Sequence, residues 1–246
     1  MERVPQVRIG DWFNEAWKLI QPVWLEYVLA TVVYVLVMTL AGLCLIPLLI
    51  VGGPLTGGLY VYLAKRLLGQ PAQVGDIFKG FRRFGDSTVL FLAVALFPVL
   101  VLGLLLLTYV LPLLGALEPT GVLATLLSIG ACFLWCLSFL FLLVYPVVAQ
   151  TFLVFAMPLV MFRGMKAMDA IRTSIRIVRP QFLNFLLLTL AGFLLIGAAS
   201  SIGTLLLCVG YFVLTPLAIA VFTTMQLLAY RDFIGLTEQD LTLYAG

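Results

Sequence analysis

Two cysteines stand four residues apart within an apolar stretch of this chain, Cys132 and Cys136. On a helix this spacing places both thiols on one face, where two thiolates would supply half of the ligands of a tetrahedral zinc site. The sequence contains no histidine, and the other cysteines lie in different apolar segments. We therefore interpret the pair as small-residue packing and predict no metal and no other cofactor; the missing histidine also removes the usual axial ligand of haem.

Polar residues elsewhere in the apolar segments do not form a catalytic pattern. The sequence shows no paired carboxylates and no activated nucleophile, so we predict that the chain is not an enzyme. No ionisable residue occurs at the middle of an apolar segment, which argues against a proton- or sodium-coupled pump. The deepest polar residues, including Ser138, Gln150 and Thr151, are expected to form hydrogen bonds between helices.

The composition is that of a protein embedded in a lipid bilayer. Of the 246 residues, 63% are hydrophobic and only 10% are charged, and the mean hydropathy is +1.18. A soluble domain carries about 25% charged residues, so this chain could not cover a water-exposed surface. The apolar runs are continuous rather than alternating, which favours helices over strands. We predict an all-α polytopic transmembrane helical bundle that forms a single integral membrane domain over residues 1–246.

Six apolar segments are long enough to cross the hydrocarbon core, which requires about 20 residues of helix. The predicted spans are about 23–46, 47–67, 87–113, 121–162, 181–203 and 205–230. All lysines and arginines fall before the first span, after the last, in the last residues of the second span, or in the connections that follow the second and fourth. Since cytoplasmic loops are enriched in Lys and Arg, this pattern predicts that both termini are cytoplasmic.

The segment 121–162 is too long for a simple span, because 42 residues of helix would extend about 63 Å. We predict either one long kinked helix or a span with a re-entrant part, and the sequence leaves both open. Pro47, Pro146 and Pro216 are the predicted helix kinks, since proline removes a backbone hydrogen bond. Near the C-terminus, Thr237 and Asp240 match a capping box, which predicts a brief helix.

Three amphipathic segments precede pairs of spans, at about 9–21, 75–85 and 166–179. Each contains an aspartate near its start, Asp11, Asp76 or Asp169, and the shared order suggests a threefold repeat of an interfacial helix followed by a helical hairpin. Helices of this kind lie in the plane of the bilayer interface. Trp12, Trp17 and Trp24 are the predicted interface anchors, because tryptophan is enriched at that depth.

Basic residues on these segments and at helix ends are predicted to contact lipid headgroups or a partner protein. A basic residue near an anionic membrane surface contributes about 1 kcal/mol, and the simpler interpretation is that these residues only orient and anchor the chain. Membrane lipids and other membrane subunits are the expected partners, and nucleic acid is not. The set comprises Lys65, Arg66, Lys79, Arg82, Arg83, Arg163, Lys166, Arg172, Arg176 and Arg179.

Small residues four positions apart predict close helix packing at two places, because they let helix backbones approach. Gly53 and Gly57 form one pair, and Gly197 and Ser201 form the other. We expect packing within the chain, with contact between copies as the alternative.

Four short motifs give the chain a resemblance to a known group. They are Phe13-Asn14-Glu15-Ala16-Trp17, the run from Gly52 to Gly58, the run from Asp76 to Phe81, and Ala167 through Arg179. In these the chain resembles uncharacterised six-helix bacterial integral membrane proteins and is similar to the membrane domain of bacterial glycerophosphodiester phosphodiesterases. The resemblance implies a multi-pass protein of the bacterial inner membrane. It implies no catalytic residue, because the phosphodiesterase barrel has no counterpart in this sequence.

These observations favour a non-catalytic scaffold or accessory subunit of a larger membrane assembly. The alternative is a transporter or lipid-handling membrane protein that uses a cavity among the repeated hairpins, with the three prolines supplying broken helices.

Overall fold

The computed structural model describes residues 6–115, 122–206 and 209–244. It is 90% helical, and the described residues contain no strand. Their α-helices are α1 (Ile9–Ile20), α2 (Trp24–Gly42), α3 (Leu45–Leu67), α4 (Phe84–Gly115), α5 (Val122–Phe152), α6 (Ala156–Arg163), α7 (Ala167–Val178), α8 (Phe182–Leu205) and α9 (Val209–Phe233). Four 3₁₀ segments occur at Gln21–Val23, Val74–Arg83, Arg179–Gln181 and Glu238–Tyr244.

Among the described residues, five helical runs are long and apolar enough to cross a membrane, and a bent pair, Val74–Ala95 with Phe97–Gly103, would make a sixth. This confirms the predicted fold class, an all-α multi-pass bundle. Residue 121, in the predicted fourth span, and residues 207–208, in the predicted sixth, lie outside the described residues. The five runs are Ile9–Gly42, Leu45–Leu67, Ser128–Arg163, Ala167–Leu205 and Gly210–Phe233.

The chain divides into two compact units, where the sequence predicts one domain. The first unit comprises Met1–Leu92 and Thr151–Gly246. Its centre is formed by α3 and α9, since 56% and 72% of their most apolar windows are buried, against 22% in Ile9–Gly42 and in Ala167–Leu205. Aromatic side chains fill the space between these helices, among them Tyr62, Phe155, Phe185 and Tyr230, all nearly inaccessible to solvent.

The second unit, Ala93–Gln150, is an apolar helical pair that buries little of itself. Among its described side chains only Ala131 and Ser138 are buried, and they lie seven residues apart on one face of α5. The Tyr145 hydroxyl donates to the Ala93 carbonyl oxygen over 3.1 Å, and its ring lies 4.4 Å from that of Phe97. The remaining aromatic and aliphatic side chains of the described part of this unit are half-buried or exposed.

Pro47 does not kink a helix, contrary to prediction. It is the third residue of α3, where the missing N–H has no helical partner to lose. The proline inside α3 is Pro54. Proline releases the carbonyl four residues earlier, and the Thr88 hydroxyl donates to that carbonyl, Ile50 O, over 3.1 Å.

The long fourth segment breaks after Pro146 rather than at it. Pro146 lies inside α5, which continues to Phe152, and the chain then turns at 153–155 before α6. Pro158 explains this position, because its ring would clash with the Val154 carbonyl in a continuous helix. Ser174 of α7 forms hydrogen bonds with the backbone groups at this break. Its hydroxyl donates to Phe152 O over 2.6 Å and accepts from the Phe155 N–H over 3.2 Å. Pro216, the third predicted kink, lies inside α9.

The first and third amphipathic segments have the same local architecture. Helices α1 and α7 each have 12 residues, and each is followed by a three-residue 3₁₀ turn containing a proline and then by a long helix. Aligned from their first residues, the two segments bury equivalent positions, Trp12 with Ala170, Ala16 with Ser174 and Ile20 with Val178. The second segment differs, because Val74–Arg83 is a 3₁₀ helix.

Candidate functional site

Lys65 and Lys79, predicted to contact lipid, are both paired with one buried carboxylate. Asp76 Oδ1 lies 3.1 Å from the Lys65 ammonium and 2.8 Å from that of Lys79, while Oδ2 accepts from the Gln73 backbone N–H over 2.9 Å. Side-chain exposure is only 8% for Lys65 and 5% for Asp76. A buried carboxylate requires such partners, so Lys65 is a structural residue rather than a headgroup ligand.

Arg66 is also committed to contacts within the chain. Its guanidinium forms an ion pair with Glu26 of α2 and lies 5.7 Å from the centre of the Tyr62 ring, a cation–π distance. The Tyr62 hydroxyl donates to the Glu26 carbonyl over 3.1 Å. These contacts join the C-terminal end of α3 to the N-terminal end of α2.

Lys79 and two further predicted lipid contacts, Arg82 and Arg163, instead hold the C-terminal segment Glu238–Tyr244. Lys79 donates to Tyr244 O over 2.9 Å, and Arg82 donates to Leu243 O. Arg163 donates to Gly235 O over 3.2 Å and lies 3.7 Å from Asp240. Half of the predicted capping box forms: the Thr237 N–H donates to Asp240 Oδ2 over 2.9 Å, but the Asp240 N–H donates to the Thr237 carbonyl oxygen rather than to its hydroxyl.

Tyr244 anchors the end of this segment. Its side chain is fully buried, and its hydroxyl donates to Met161 O over 3.0 Å. Burial raises the pKa of the phenol, and the nearby charges of Arg83 and Arg82 act in the opposite direction. Arg83 also lies beside Gly164, whose φ of +63° ends α6 in the left-handed conformation that favours glycine.

The basic residues of α7 remain available to a lipid or protein partner. Lys166, Arg172, Arg176 and Arg179 are all exposed. Arg172 lies 3.9 Å from Asp169, but both side chains are solvent-exposed, so the pair contributes little. The other three have no ion-pair partner in the described part of the chain.

The three predicted tryptophan anchors divide into two kinds. Trp12 is fully buried, so it is not an interface anchor. Its indole N–H donates to Asp232 Oδ2 over 2.9 Å, and its ring packs edge-on against Phe233. Trp17 and Trp24 are 41% and 46% exposed, which leaves them free to meet lipid.

Sequence reasoning missed the ion-pair cluster that joins α1 to the end of α9. The Arg231 guanidinium contacts both oxygens of Glu15, over 2.5 and 3.1 Å. Asp232 accepts from Arg8 over 2.9 Å as well as from Trp12. A possible signal was the run of charges on the polar face of α1, but its partner lies at the other end of the chain.

The first small-residue pair packs tightly, as predicted. A Cβ atom at Gly53 would overlap the Ser87 carbonyl, and one at Gly57 would overlap Met161. Gly58 and Gly80, which the sequence did not single out, are packed at least as closely. A Cβ at Gly58 would overlap the Ile77 carbonyl, and one at Gly80 the Pro54 carbonyl, so α3 and the segment Val74–Arg83 cross backbone against backbone.

The second small-residue pair does not pack within the described chain. Gly197 and Ser201 are exposed, and no atom lies within 4 Å of a Cβ built at Gly197. The prediction of intramolecular packing is therefore wrong here. Contact with another molecule, the alternative, is compatible with this exposure.

Two adjoining apolar clefts open between α1, α8 and α9. Their volumes are about 280 and 410 Å³. Phe13 and Leu195 line both clefts, Trp17 lines the first, and Gly10 and Gly192 line the second. Apart from Trp17, whose indole carries one N–H donor, every lining side chain is apolar or is a glycine, so the clefts offer mainly dispersion contacts.

The described residues form no redox site and no metal site. Cys132 and Cys136 are exposed thiols, and no three potential ligands meet anywhere in the described chain. A buried polar contact between the central helices joins the Tyr60 hydroxyl to Gln226 Oε1, and Gln226 Nε2 lacks a partner among the described atoms.

These helices and contacts define an α-helical multi-pass membrane protein. No protein-family model matches the chain, and neither the curated proteins nor the solved structures contain a match.

Proposed function

We propose that this protein is a non-catalytic scaffold or accessory subunit of a larger membrane assembly. The observation that carries the proposal is the unit Ala93–Gln150. Of its described side chains only two are buried, while large apolar groups such as Phe133, Trp135 and Leu140 are exposed. Helices in a membrane associate through close van der Waals packing, and this hairpin offers most of its surface for such packing with another subunit.

The proposal includes a location in the bacterial inner membrane with both termini cytoplasmic. Its support is the distribution of positive charge, which is concentrated around α7 and around the connection before α4. The exposed arginines of α7 would face anionic lipid heads on that side, in keeping with the preference of Lys and Arg for the cytoplasmic side. In a variant whose native cysteines are replaced by serine, labelling of cysteines introduced at Arg176 and at Gly42 with a membrane-impermeant reagent tests the orientation, and labelling of Arg176→Cys from outside intact cells would contradict it.

Native mass spectrometry after purification in mild detergent tests the scaffold role. We expect the chain to be recovered with a second protein subunit in a fixed ratio. The double variant Phe133→Ala and Leu137→Ala should lose that subunit. The matched control, Leu183→Ala and Leu194→Ala, truncates large exposed side chains of α8 and should keep it.

Two outcomes would refute the scaffold role. One is recovery of the wild-type chain alone in several gentle detergents. The other is loss of the partner in the α8 control but not in the α5 variant, since the hairpin would then not be the contact surface. The exposed Cys132 and Cys136 permit a second measurement: a membrane-permeant thiol crosslinker should join α5 to the partner in intact membranes.

The alternative function is lipid handling, and the apolar clefts between α1, α8 and α9 favour it. A lipid-moving protein should accelerate exchange of a fluorescent phospholipid between the leaflets of reconstituted vesicles. A rate equal to that of protein-free vesicles would argue against this alternative while leaving the scaffold role intact.

A further inference from the structure

The two apolar clefts form one groove along the outer face of the α8–α9 hairpin. On α9 the lining extends from Leu214 to Met225, and on α8 from Ala191 to Ile202. Each stretch covers 11 residue steps, which is about 16 Å of helix. One leaflet of the hydrocarbon core is about 15 Å deep, half of the ~30 Å core. The groove is therefore as long as one leaflet is deep.

The groove is concave because its floor is made of small residues. Gly192, Ala198, Ala199 and Ala218 lie between the larger side chains that form its walls. Its two parts have volumes of about 280 and 410 Å³, comparable with the ~300–1,000 Å³ of typical ligand sites. A flexible alkyl chain lying in such a groove contacts protein on several sides, which a chain on a convex helix surface does not.

The helix α1 runs along the groove, with Gly10 and Phe13 lining one part and Phe13 and Trp17 lining the other. Asn14 and Lys18 each follow a lining residue in the sequence, so they lie about 100° further round the helix, next to the lining. Both polar side chains are exposed. Arg8 and Glu15 are engaged with Asp232 and Arg231, whereas Lys18 has no ion-pair partner among the described residues.

We propose that this groove holds one acyl chain of a membrane glycerophospholipid whose phosphate is bound by Lys18 and Asn14. The apolar groove matches the hydrocarbon chain in length, and the exposed ammonium of Lys18, on the helix that lines the groove, matches the phosphodiester in charge. The lipid is a retained ligand, and its binding does not require that the protein moves lipid or that it has a protein partner.

Lipid retention by the full-length protein tests the site. The chain is purified in mild detergent and analysed by native mass spectrometry, then delipidated and titrated with dioleoyl phosphatidylglycerol. We expect one tightly retained phospholipid per chain. Ala198→Phe places a ring in the groove and should raise the Kd measured in the titration at least about tenfold, which corresponds to about 1.4 kcal/mol of binding free energy. Because Ala198 is exposed, this variant leaves the packing of the bundle intact.

Ser201→Phe is the matched control, since it adds the same ring to the same helix outside the groove lining, and it should retain lipid like the wild type. Lys18→Gln should weaken binding of the phospholipid but not of a neutral diacylglycerol with the same chains. Equal retention by wild type and Ala198→Phe would overturn the proposal. It would also fall if the wild type carried no lipid in any gentle detergent, or if Ala198→Phe removed a second copy of the protein rather than a lipid. Recovery of the wild-type chain with its lipid but without a protein partner would count against the scaffold role and would leave the lipid proposal intact.

Discussion

Replacing Gly58 with alanine should destabilise the protein more than a glycine-to-alanine change at any position outside the crossing between α3 and the segment Val74–Arg83. The new Cβ would lie closer than 3.0 Å to the Ile77 carbonyl oxygen, a distance that real Cβ atoms do not adopt. This oxygen belongs to the backbone of the segment Val74–Arg83, so it cannot move aside by a rotamer change. The segment itself must shift, and with it the buried Asp76 next to Ile77.

The size of the effect follows from two opposing contributions. Overpacking a tight site costs about 1–3 kcal/mol, and a backbone clash belongs at the upper end. Alanine in place of glycine within a helix recovers roughly 0.5–1 kcal/mol, so the net loss is about 2 kcal/mol. For a chain of this size each kcal/mol changes the melting temperature by about 2–4 °C, which predicts a decrease of about 4–8 °C.

Thermal unfolding of the purified protein in detergent, followed by circular dichroism, measures this decrease. Gly85→Ala is the control: Gly85 lies in α4, and no atom lies within 4 Å of its Cβ position, so this variant should be as stable as the wild type or slightly more so. Gly80→Ala, on the other side of the same crossing, should behave like Gly58→Ala. If Gly58→Ala melted together with Gly85→Ala, the close backbone crossing would be refuted.

Three further changes test the polar contacts. Ser174→Ala should cost about 1–3 kcal/mol, because it leaves backbone groups at the α5–α6 break unsatisfied; an unchanged denaturant midpoint would contradict this role. Asp76→Asn should cost about 3–5 kcal/mol, since it leaves the Lys65 ammonium buried without its counter-charge, and Lys65→Met combined with it should recover part of that loss. Tyr244→Phe should release the C-terminal segment to proteolysis more readily at neutral pH. Because the folded-state pKa of this phenol is raised, its contribution is complete below about pH 10 and is lost as pH rises through the folded value, a dependence that Tyr244→Phe should lack.

The helical membrane fold was predictable because it depends on local properties of the chain. Continuous apolar runs of sufficient length can only be spanning helices, and the amphipathic segments at α1 and α7 follow from helical spacing. Helix boundaries were less certain. Pro47 and Pro158 both occupy the third position of a helix, so the same residue type that suggests a kink marks a helix start when the chain turns just before it.

The roles of individual side chains were less predictable, because they depend on which segments meet. Trp12 and Trp17 lie on the same apolar side of α1, yet only Trp12 faces α9 and becomes buried. Gly53 and Gly197 each belong to a small-residue pair with four-residue spacing, but only Gly53 meets another helix of the chain. The spacing of residues specifies one face of a helix. Contacts between residues far apart in sequence decide which other segment, if any, packs on that face.

The internal repeat indicates which part of the chain carries the more specialised role. Its first and third segments bury equivalent positions of α1 and α7, so both helices pack on the first unit with the same face. Their outer faces differ: α1 carries the paired charges and the rim of the groove, whereas α7 carries exposed arginines without buried partners. The second segment departs from the pattern, since it is a 3₁₀ helix pressed against Gly58 and leads into the hairpin that buries almost nothing. We therefore expect partner binding to depend on the second hairpin, and lipid binding on the first and third.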